Sequence, residues 1–192
     1  VYFFLTPPGD VWTGLVGIDL TVGAGTHDLD VTATADDGVV VQKIYPIVVE
    51  SKEFPTRRLS VNPSFVSPPA EVIERIQRES RTLDEIFSTA TEERLWWDGF
   101  LRPVTGESTS SFGRRSVFNG QPRSPHSGTD FRAAEGTQIK APNGGKVVLA
   151  TDLYFSGNVV VIDHGLGLYS YFAHLSSIDV SAGEHVGQGK VV

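Results

Sequence analysis

The most informative stretch of the sequence is a histidine followed four residues later by an aspartate, His126 and Asp130, with Gly128 between them. Imidazole nitrogen and carboxylate oxygen are both ligands of zinc, at about 2.0–2.2 Å from the ion. The glycine permits a bend, and a bent segment of this length can turn both side chains towards one ion. A turn capped by the aspartate produces the same short spacing. The spacing by itself therefore leaves two interpretations, a metal site or a capped turn.

Amino-acid composition limits the chemistry that is open to this chain. Its 192 residues include no cysteine, which excludes a disulfide, a thiolate nucleophile and a cysteine-ligated zinc site and leaves His, Asp and Glu as metal ligands. The 16 Lys and Arg residues against 23 Asp and Glu residues give a net charge of −7 without a basic stripe, which argues against nucleic acid as a partner. The longest apolar runs are far shorter than the roughly 18 residues of a transmembrane helix, so we expect no membrane span in this chain.

Two polar residues near the histidine and aspartate are candidates for contacts with a substrate. Arg115 and Asn119 flank the loop that carries His126, and we predict that they line a substrate groove. The alternative for the arginine, beside a glycine-rich turn, is a solvated or ion-paired side chain. Another histidine, His164, lies at a strand end before a glycine turn, and we expect it to make structural hydrogen bonds.

Strands are the first elements that the sequence predicts. Polar and apolar side chains alternate over residues 26–34 and 39–49, and glycine turns separate these stretches. Alternation with a period of two is typical of strands with one covered face. Because two such strands need a covering sheet, we predict a β-sandwich-like accessory domain over residues 1–62.

The middle of the chain changes to a helical pattern. Pro68-Pro69 precedes apolar residues at spacings of three and four, which predicts one or two helices between residue 70 and about residue 95. We therefore assign residues 63–100 to a Pro-rich and helical linker that lies on a domain. Strand patterns return over residues 101–192, beginning with a predicted strand at 104–112, and indicate a second β domain. The expected fold class is all-β with a helical linker.

In order and spacing, five segments resemble the lysostaphin-type (LytM-like) zinc metallopeptidases, which are cell-wall (murein) endopeptidases. The resemblance covers roughly residues 104–192, and it implies an antiparallel β domain of the duplicated hybrid motif kind. The run of five segments is far more specific than any one of them. The segments are S-F-G-R-R at 111–115, S-P-H-S-G-T-D at 124–130, A-P-N-G-G-K-V at 141–147, V-I-D-H-G at 161–165 and Y-F-A-H-L-S at 171–176.

The resemblance implies roles for three histidine and aspartate residues. It implies zinc as the cofactor, with His126 and Asp130 as two ligands, and His174 as a catalytic histidine that does not bind the metal. The third ligand in the family is the second histidine of an H-x-H motif, which residues 1–192 do not contain. We expect this motif to follow Val192 in the complete protein. Because the sequence also has no methionine, we expect a removed leader upstream.

The resemblance also implies a function and a place in the cell. It implies a zinc-dependent endopeptidase that hydrolyses peptide cross-links or stem peptides of bacterial peptidoglycan, in the periplasm or outside the cell, with envelope regulators as possible partners. We further expect residues 1–95 to restrict access to the groove by filling the space beside His126 and His174. The alternative for this N-terminal part is a rigid spacer that leaves the groove open.

Two other functions compete with the enzyme. A catalytically degenerate LytM-like domain would bind peptidoglycan or activate an amidase without cleaving its ligand. Residues 135–142 and 180–190 also look like the half-barrel of biotinyl and lipoyl carrier domains. Such carriers present a lysine on a tight hairpin, whereas Tyr154-Phe155-Ser156-Gly157-Asn158 follows the strand at residues 147–149 here. The carrier interpretation is therefore the weakest of the three.

Overall fold

The computed structural model describes residues 3–6, 11–34, 37–110 and 112–192. Over these residues the chain is mostly β with one α-helix, which confirms the expected fold class. The helical segments are a 3₁₀ turn at Pro63–Phe65 and α1 (Ala70–Ser88). The strands are β1 (Phe3–Thr6), β2 (Val11–Gly14), β3 (Gly25–Thr34), β4 (Val40–Val49), β5 (Thr56–Leu59), β6 (Arg115–Phe118), β7 (Gln121–Pro122), β8 (Gly145–Leu153), β9 (Gly157–Asp163), β10 (Tyr169–Leu175) and β11 (His185–Val186).

A four-stranded antiparallel sheet with the order β10-β9-β8-β11 contains the core. One of its two inner strands, β9, includes four consecutive β-branched residues, 159–162, whose side chains are all fully buried. Val160 and Ile162 face one cluster, which also contains Val147 and Val186, and Val159 and Val161 face the other. Because both faces of β9 are covered, its sequence is a continuous apolar run and does not alternate.

Helix α1 covers one face of this sheet. It follows Pro69, whose fixed φ suits a helix start, and its Leu83 and Ile86 pack against the buried side chains of β8 and β9. Arg75 on the same helix binds Asp152 of β8 at 2.6 Å. The predicted helix on a β domain is therefore observed, and its role is to close the second cluster of the core.

The N-terminal residues form smaller sheets. Strands β1 and β2 make one hairpin, and β3 and β4 make a separate two-stranded sheet that pairs over all ten residues of each strand. Strand β5 instead joins the C-terminal part, since it pairs in parallel with β6 from Thr56↔Arg115 to Leu59↔Phe118. This pairing crosses both predicted domain boundaries, at residues 62 and 100, and the three-part division of the chain stays a prediction.

One expected strand is absent from the C-terminal part. The described residues of 104–112 form an irregular segment with a single isolated bridge, Ser108↔Phe131. The segment is irregular because its backbone groups bond to a bent loop rather than to a straight strand. In the described part of the chain, α1 is too polar to serve as a membrane-spanning helix.

Candidate metal centre

The side chains of His126 and Asp130 meet at the surface of the C-terminal part. Nε2 of His126 lies 3.4 Å from Oδ1 of Asp130. Two donor atoms bound at 2.0–2.2 Å to one tetrahedral ion are separated by about 3.3–3.6 Å, so this separation fits two ligands of one zinc ion. The two side chains are 34% and 57% exposed, which leaves room for an ion to reach them.

Backbone hydrogen bonds hold the loop that carries this pair. The N–H of His126 donates to the carbonyl oxygen of Arg114 at 2.9 Å, and its carbonyl oxygen accepts from the N–H of Gly113 at 2.7 Å. The carbonyl oxygen of Asp130 accepts from the N–H of Thr109 at 2.9 Å. Backbone hydrogen bonds thus hold the loop at both candidate ligands, and the loop bends at Gly128 between them. This explains how a spacing of four residues directs both side chains to one point.

Ser110 connects the two candidate ligands from a third position. It is one of the few buried polar residues, with 8% of its surface exposed. Its hydroxyl donates to Oδ2 of Asp130 and lies 3.4 Å from Nδ1 of His126. The sequence did not single out this residue, because a serine in the polar stretch 107–111 looks like any loop residue. The importance of Ser110 follows only from its contacts in the folded chain.

His174 lies near the end of β10, in an unusual backbone conformation. Its φ is +59°, and the pairing of β10 with β9 shifts register between Phe172 and Leu175. Such a bulge redirects a side chain, and a non-glycine residue at positive φ is strained. The N–H of His174 donates to the carbonyl oxygen of Ser156 at 2.8 Å, which holds the residue in this conformation. The strain is therefore built into the position that the resemblance marks as catalytic.

A groove of about 1050 Å³ brings the three predicted site residues together. His126, Asp130 and His174 all line it, and the aromatic rings of Tyr171 and Phe172 contribute to its wall. Of the described residues, none before Pro103 lines this groove. The expectation that the N-terminal part fills the space beside the two histidines is therefore wrong for the described part of that region.

The two predicted substrate-binding residues lie elsewhere. Arg115 begins β6, and its N–H donates to the carbonyl oxygen of Pro55 at 3.0 Å. The carboxamide of Asn119 bonds to both the N–H and the carbonyl oxygen of Val61, each at 3.0 Å. Neither residue is among those that line the groove. Their contacts connect the N-terminal part to the C-terminal part, and their binding role stays a prediction.

His164 is buried inside the fold and apart from the groove. Its Nδ1 lies 2.6 Å from the carbonyl oxygen of Gly144, and its Nε2 lies 2.8 Å from the hydroxyl of Ser170. Burial lowers the pKa of His164, and the Gly144 carbonyl and the nearby Asp163 oppose this shift only in part. With both ring nitrogens bonded inside the protein, His164 has the structural role that its position in the sequence indicated.

The described residues fit part of a zinc site. Throughout residues 3–6, 11–34, 37–110 and 112–192, no group of three potential ligand residues converges on one point. The pair formed by His126 and Asp130 provides one nitrogen and one oxygen at a suitable separation. Their donor types and geometry fit two of the three protein ligands that a catalytic zinc site requires.

Comparison with known proteins gives consistent matches. The profile of Peptidase family M23 matches residues 124–192. A crystal structure assigned to peptidase M23, from Pseudomonas aeruginosa, is 33% identical with a TM-score of 0.76, and the alignment covers 100% of this chain and 70% of that one.

Two curated proteins are similar to shorter parts of the chain. Peptidoglycan DD-endopeptidase ShyA of Vibrio cholerae is 39% identical over 66 residues, which is 34% of this chain and 15% of that protein. Murein hydrolase activator EnvC of Escherichia coli is 36% identical over 90 residues, which is 47% of this chain and 20% of that protein. The chain thus spans a fifth or less of these two relatives. With the profile match and the similarity over its whole length to the Pseudomonas structure, the chain belongs to peptidase family M23, of the LytM-like kind.

Proposed function

We propose that this chain carries the catalytic groove of a zinc-dependent endopeptidase that hydrolyses peptide cross-links or stem peptides of bacterial peptidoglycan. The observation that carries the proposal is the separation of 3.4 Å between Nε2 of His126 and Oδ1 of Asp130, in a groove that His174 also lines. The name of ShyA, a peptidoglycan DD-endopeptidase, supports the substrate class. In this proposal the protein acts in the periplasm or outside the cell.

The residues of the groove have two roles in this proposal, metal binding and proton transfer. Zinc held by His126 and Asp130 would lower the pKa of a bound water to about 7 and polarise the carbonyl of the scissile bond. His174 accepts a proton from the attacking water or donates a hydrogen bond to the oxygen that becomes negative. The ring of Tyr171 provides an apolar wall for a peptide strand.

The proposal requires a third protein ligand in addition to His126 and Asp130. Residues 1–192 contain no H-x-H sequence, the motif that supplies this ligand in the resembled family. In this proposal the second histidine of such a motif completes the site, and the first assists His174.

A second candidate function has support of its own. The similarity to EnvC, a murein hydrolase activator, over 47% of the chain is compatible with a domain that regulates another hydrolase. The two-residue ligand set of the described region is compatible with it as well. In that case the groove would bind peptidoglycan or an envelope partner and would not cleave.

Digestion of purified peptidoglycan separates the two candidates. The full-length protein with zinc is expected to release new peptide ends, detected by mass spectrometry of the fragments, and a chelator is expected to abolish this release until zinc is returned. The His126→Ala variant is the matched inactive protein. Zinc-loaded protein that releases no peptide ends, but stimulates an added amidase equally well with or without the H126A change, would contradict the endopeptidase and support the activator.

A further inference from the structure

The strongest unexplained feature beside the groove is the position of Ser110 relative to the two candidate ligands. Nε2 of His126 and Oδ1 of Asp130 face each other at 3.4 Å. The hydroxyl of Ser110 contacts the other polar atom of each side chain, Nδ1 of the histidine and Oδ2 of the aspartate. One buried hydroxyl therefore contacts, in each of the two side chains, the polar atom that does not face the other side chain.

The hydrogen atoms available to these three groups determine the direction of each bond. A serine hydroxyl has one hydrogen and two lone pairs, and an ionised carboxylate only accepts. Because the hydroxyl of Ser110 donates to Oδ2 of Asp130, it presents a lone pair to Nδ1 of His126. The imidazole must then carry its hydrogen on Nδ1 to bond with this oxygen, and its lone pair lies on Nε2.

The direction of these bonds matters because a neutral imidazole binds a metal through the nitrogen that has no hydrogen. The nitrogen that faces Oδ1 of Asp130 is Nε2, the same atom to which the bond direction assigns the lone pair. With a metal ion between Nε2 and Oδ1, the metal and the bond to Ser110 favour the same tautomer. Without metal, a hydrogen on Nε2 would instead bond to Oδ1 of Asp130, and the bond from Nδ1–H to Ser110 opposes that alternative. A hydrogen bond made by a buried hydroxyl is also stronger than one exposed to water, so Ser110 is able to hold both side chains.

We propose that Ser110 is a positioning residue that fixes His126 in the tautomer with hydrogen on Nδ1 and orients His126 and Asp130 together, through the chain Nδ1–H to Oγ–H to Oδ2. For its functional consequence the inference rests on the proposed zinc site. The tautomer itself is a property of the protein without metal. Loss of a partner that orients metal ligands lowers metal affinity by about 10- to 100-fold in other sites, and we expect an effect of this size.

Three variants of the full-length protein test the inference. Ser110→Ala removes the hydroxyl, and Ser110→Thr keeps it. Ser108→Ala is the matched control, because its hydroxyl bonds to the backbone oxygen of Ser110 at 2.9 Å and to neither candidate ligand. The melting temperature of each variant identifies any that fails to fold. If S110A does not fold, S110T and the unaltered protein still allow the tautomer to be measured.

The first measurement is the nitrogen NMR spectrum of His126 in metal-free protein at about pH 8, where an ordinary histidine is neutral. We expect hydrogen on Nδ1 in the unaltered protein, S108A and S110T, and a shift towards hydrogen on Nε2 in S110A. Hydrogen on Nε2 in the unaltered protein, or the same tautomer in folded S110A, would overturn the inference whether or not the protein binds zinc.

The second measurement is the dissociation constant for zinc, determined by competition with a chelator. We expect it to rise about 10- to 100-fold in S110A and to return towards the original value in S110T. Equal constants for S110A and S108A would refute the positioning role. Failure of the unaltered protein to bind zinc would instead refute the proposed function and leave the tautomer measurement to decide the inference.

Discussion

The ring of Phe54 lies directly over Gly113, so that a β-carbon on this glycine would collide with the ring. Phe54 precedes β5, and the N–H of Gly113 donates to the carbonyl oxygen of His126 at 2.7 Å. The N-terminal part therefore contacts Gly113, which in turn bonds to the backbone of the loop that carries His126 and Asp130. This contact braces the loop, whereas the sequence led us to expect a segment that covers it.

The brace predicts that Gly113→Ala destabilises the protein more than Gly120→Ala. Both glycines have positive φ, +83° and +82°, but only Gly113 faces the ring of Phe54, while nothing lies within 4 Å of a β-carbon on Gly120. The left-handed backbone costs each alanine about 1–2 kcal/mol, and the collision adds about 1–3 kcal/mol at Gly113. Urea unfolding of both variants measures the difference. In a protein that also carries Phe54→Ala, G113A and G120A should lower the free energy of unfolding by similar amounts. If the two glycine variants are equally destabilised while Phe54 is present, the contact is contradicted.

The ligand assignment predicts that His126→Ala and Asp130→Ala each lower the zinc content of the full-length protein. Each change removes one of two donor atoms that lie 3.4 Å apart. Elemental analysis after dialysis against zinc gives the stoichiometry. His185→Ala is the control. This exposed histidine of β11 pairs with Lys146 of β8 and lies outside the groove. Equal zinc content in H126A and H185A would refute the assignment.

The catalytic assignment predicts a different pattern for His174→Ala. Zinc content should stay unchanged, and the rate of peptide cleavage should fall by about 10²–10⁴-fold, the range for a general acid–base or oxyanion group. Cleavage of purified cross-linked peptidoglycan fragments, measured alongside zinc content, separates the two effects. If the variant loses its zinc, His174 is a ligand and the role implied by the resemblance is wrong.

The positive φ of His174 predicts a second effect that is independent of catalysis. Glycine adopts φ near +59° without the strain that a β-carbon introduces, so His174→Gly should be more stable than His174→Ala by about 1 kcal/mol. Both variants lack the imidazole and are expected to be equally slow. Denaturant midpoints of the two proteins provide the comparison. A glycine variant less stable than the alanine variant would mean that residue 174 does not adopt this positive φ in solution.

Burial of His164 predicts a loss of stability in mild acid. Because its pKa is lowered in the folded protein, the unfolded chain binds a proton first as the pH falls below about 6.5, so the free energy of unfolding decreases from there down to the folded pKa. Above that range the contribution is fully present. Nuclear magnetic resonance titration of the ring gives the folded pKa directly. Unfolding measured between about pH 8 and pH 5.5 should show a smaller slope in His164→Gln than in the unaltered protein, and equal slopes would be evidence against the shift.

Much of the fold follows from local sequence patterns. The alternation over 26–34 and 39–49 predicted β3 and β4 to within one residue at each end, and the spacing of three and four after Pro69 predicted α1. The order of five short segments was enough to identify the family. These features are readable because each depends on a period of two or 3.6 residues, or on motifs whose residues lie within one loop.

The tertiary structure decided what depends on distant contacts. Ser110 meets His126 and Asp130 across 16 and 20 residues, and Asn119 meets Val61 across 58. No sequence periodicity predicts these contacts. The predicted strand at 104–112 was wrong because its backbone bonds to the bent loop 126–132. The sequence by itself determined which residue types were available for a metal site and which two of them lie four apart. Which atom of each side chain faces the groove depended on a buried hydroxyl that only chain folding brings into contact, since such a contact is set by packing and not by local spacing.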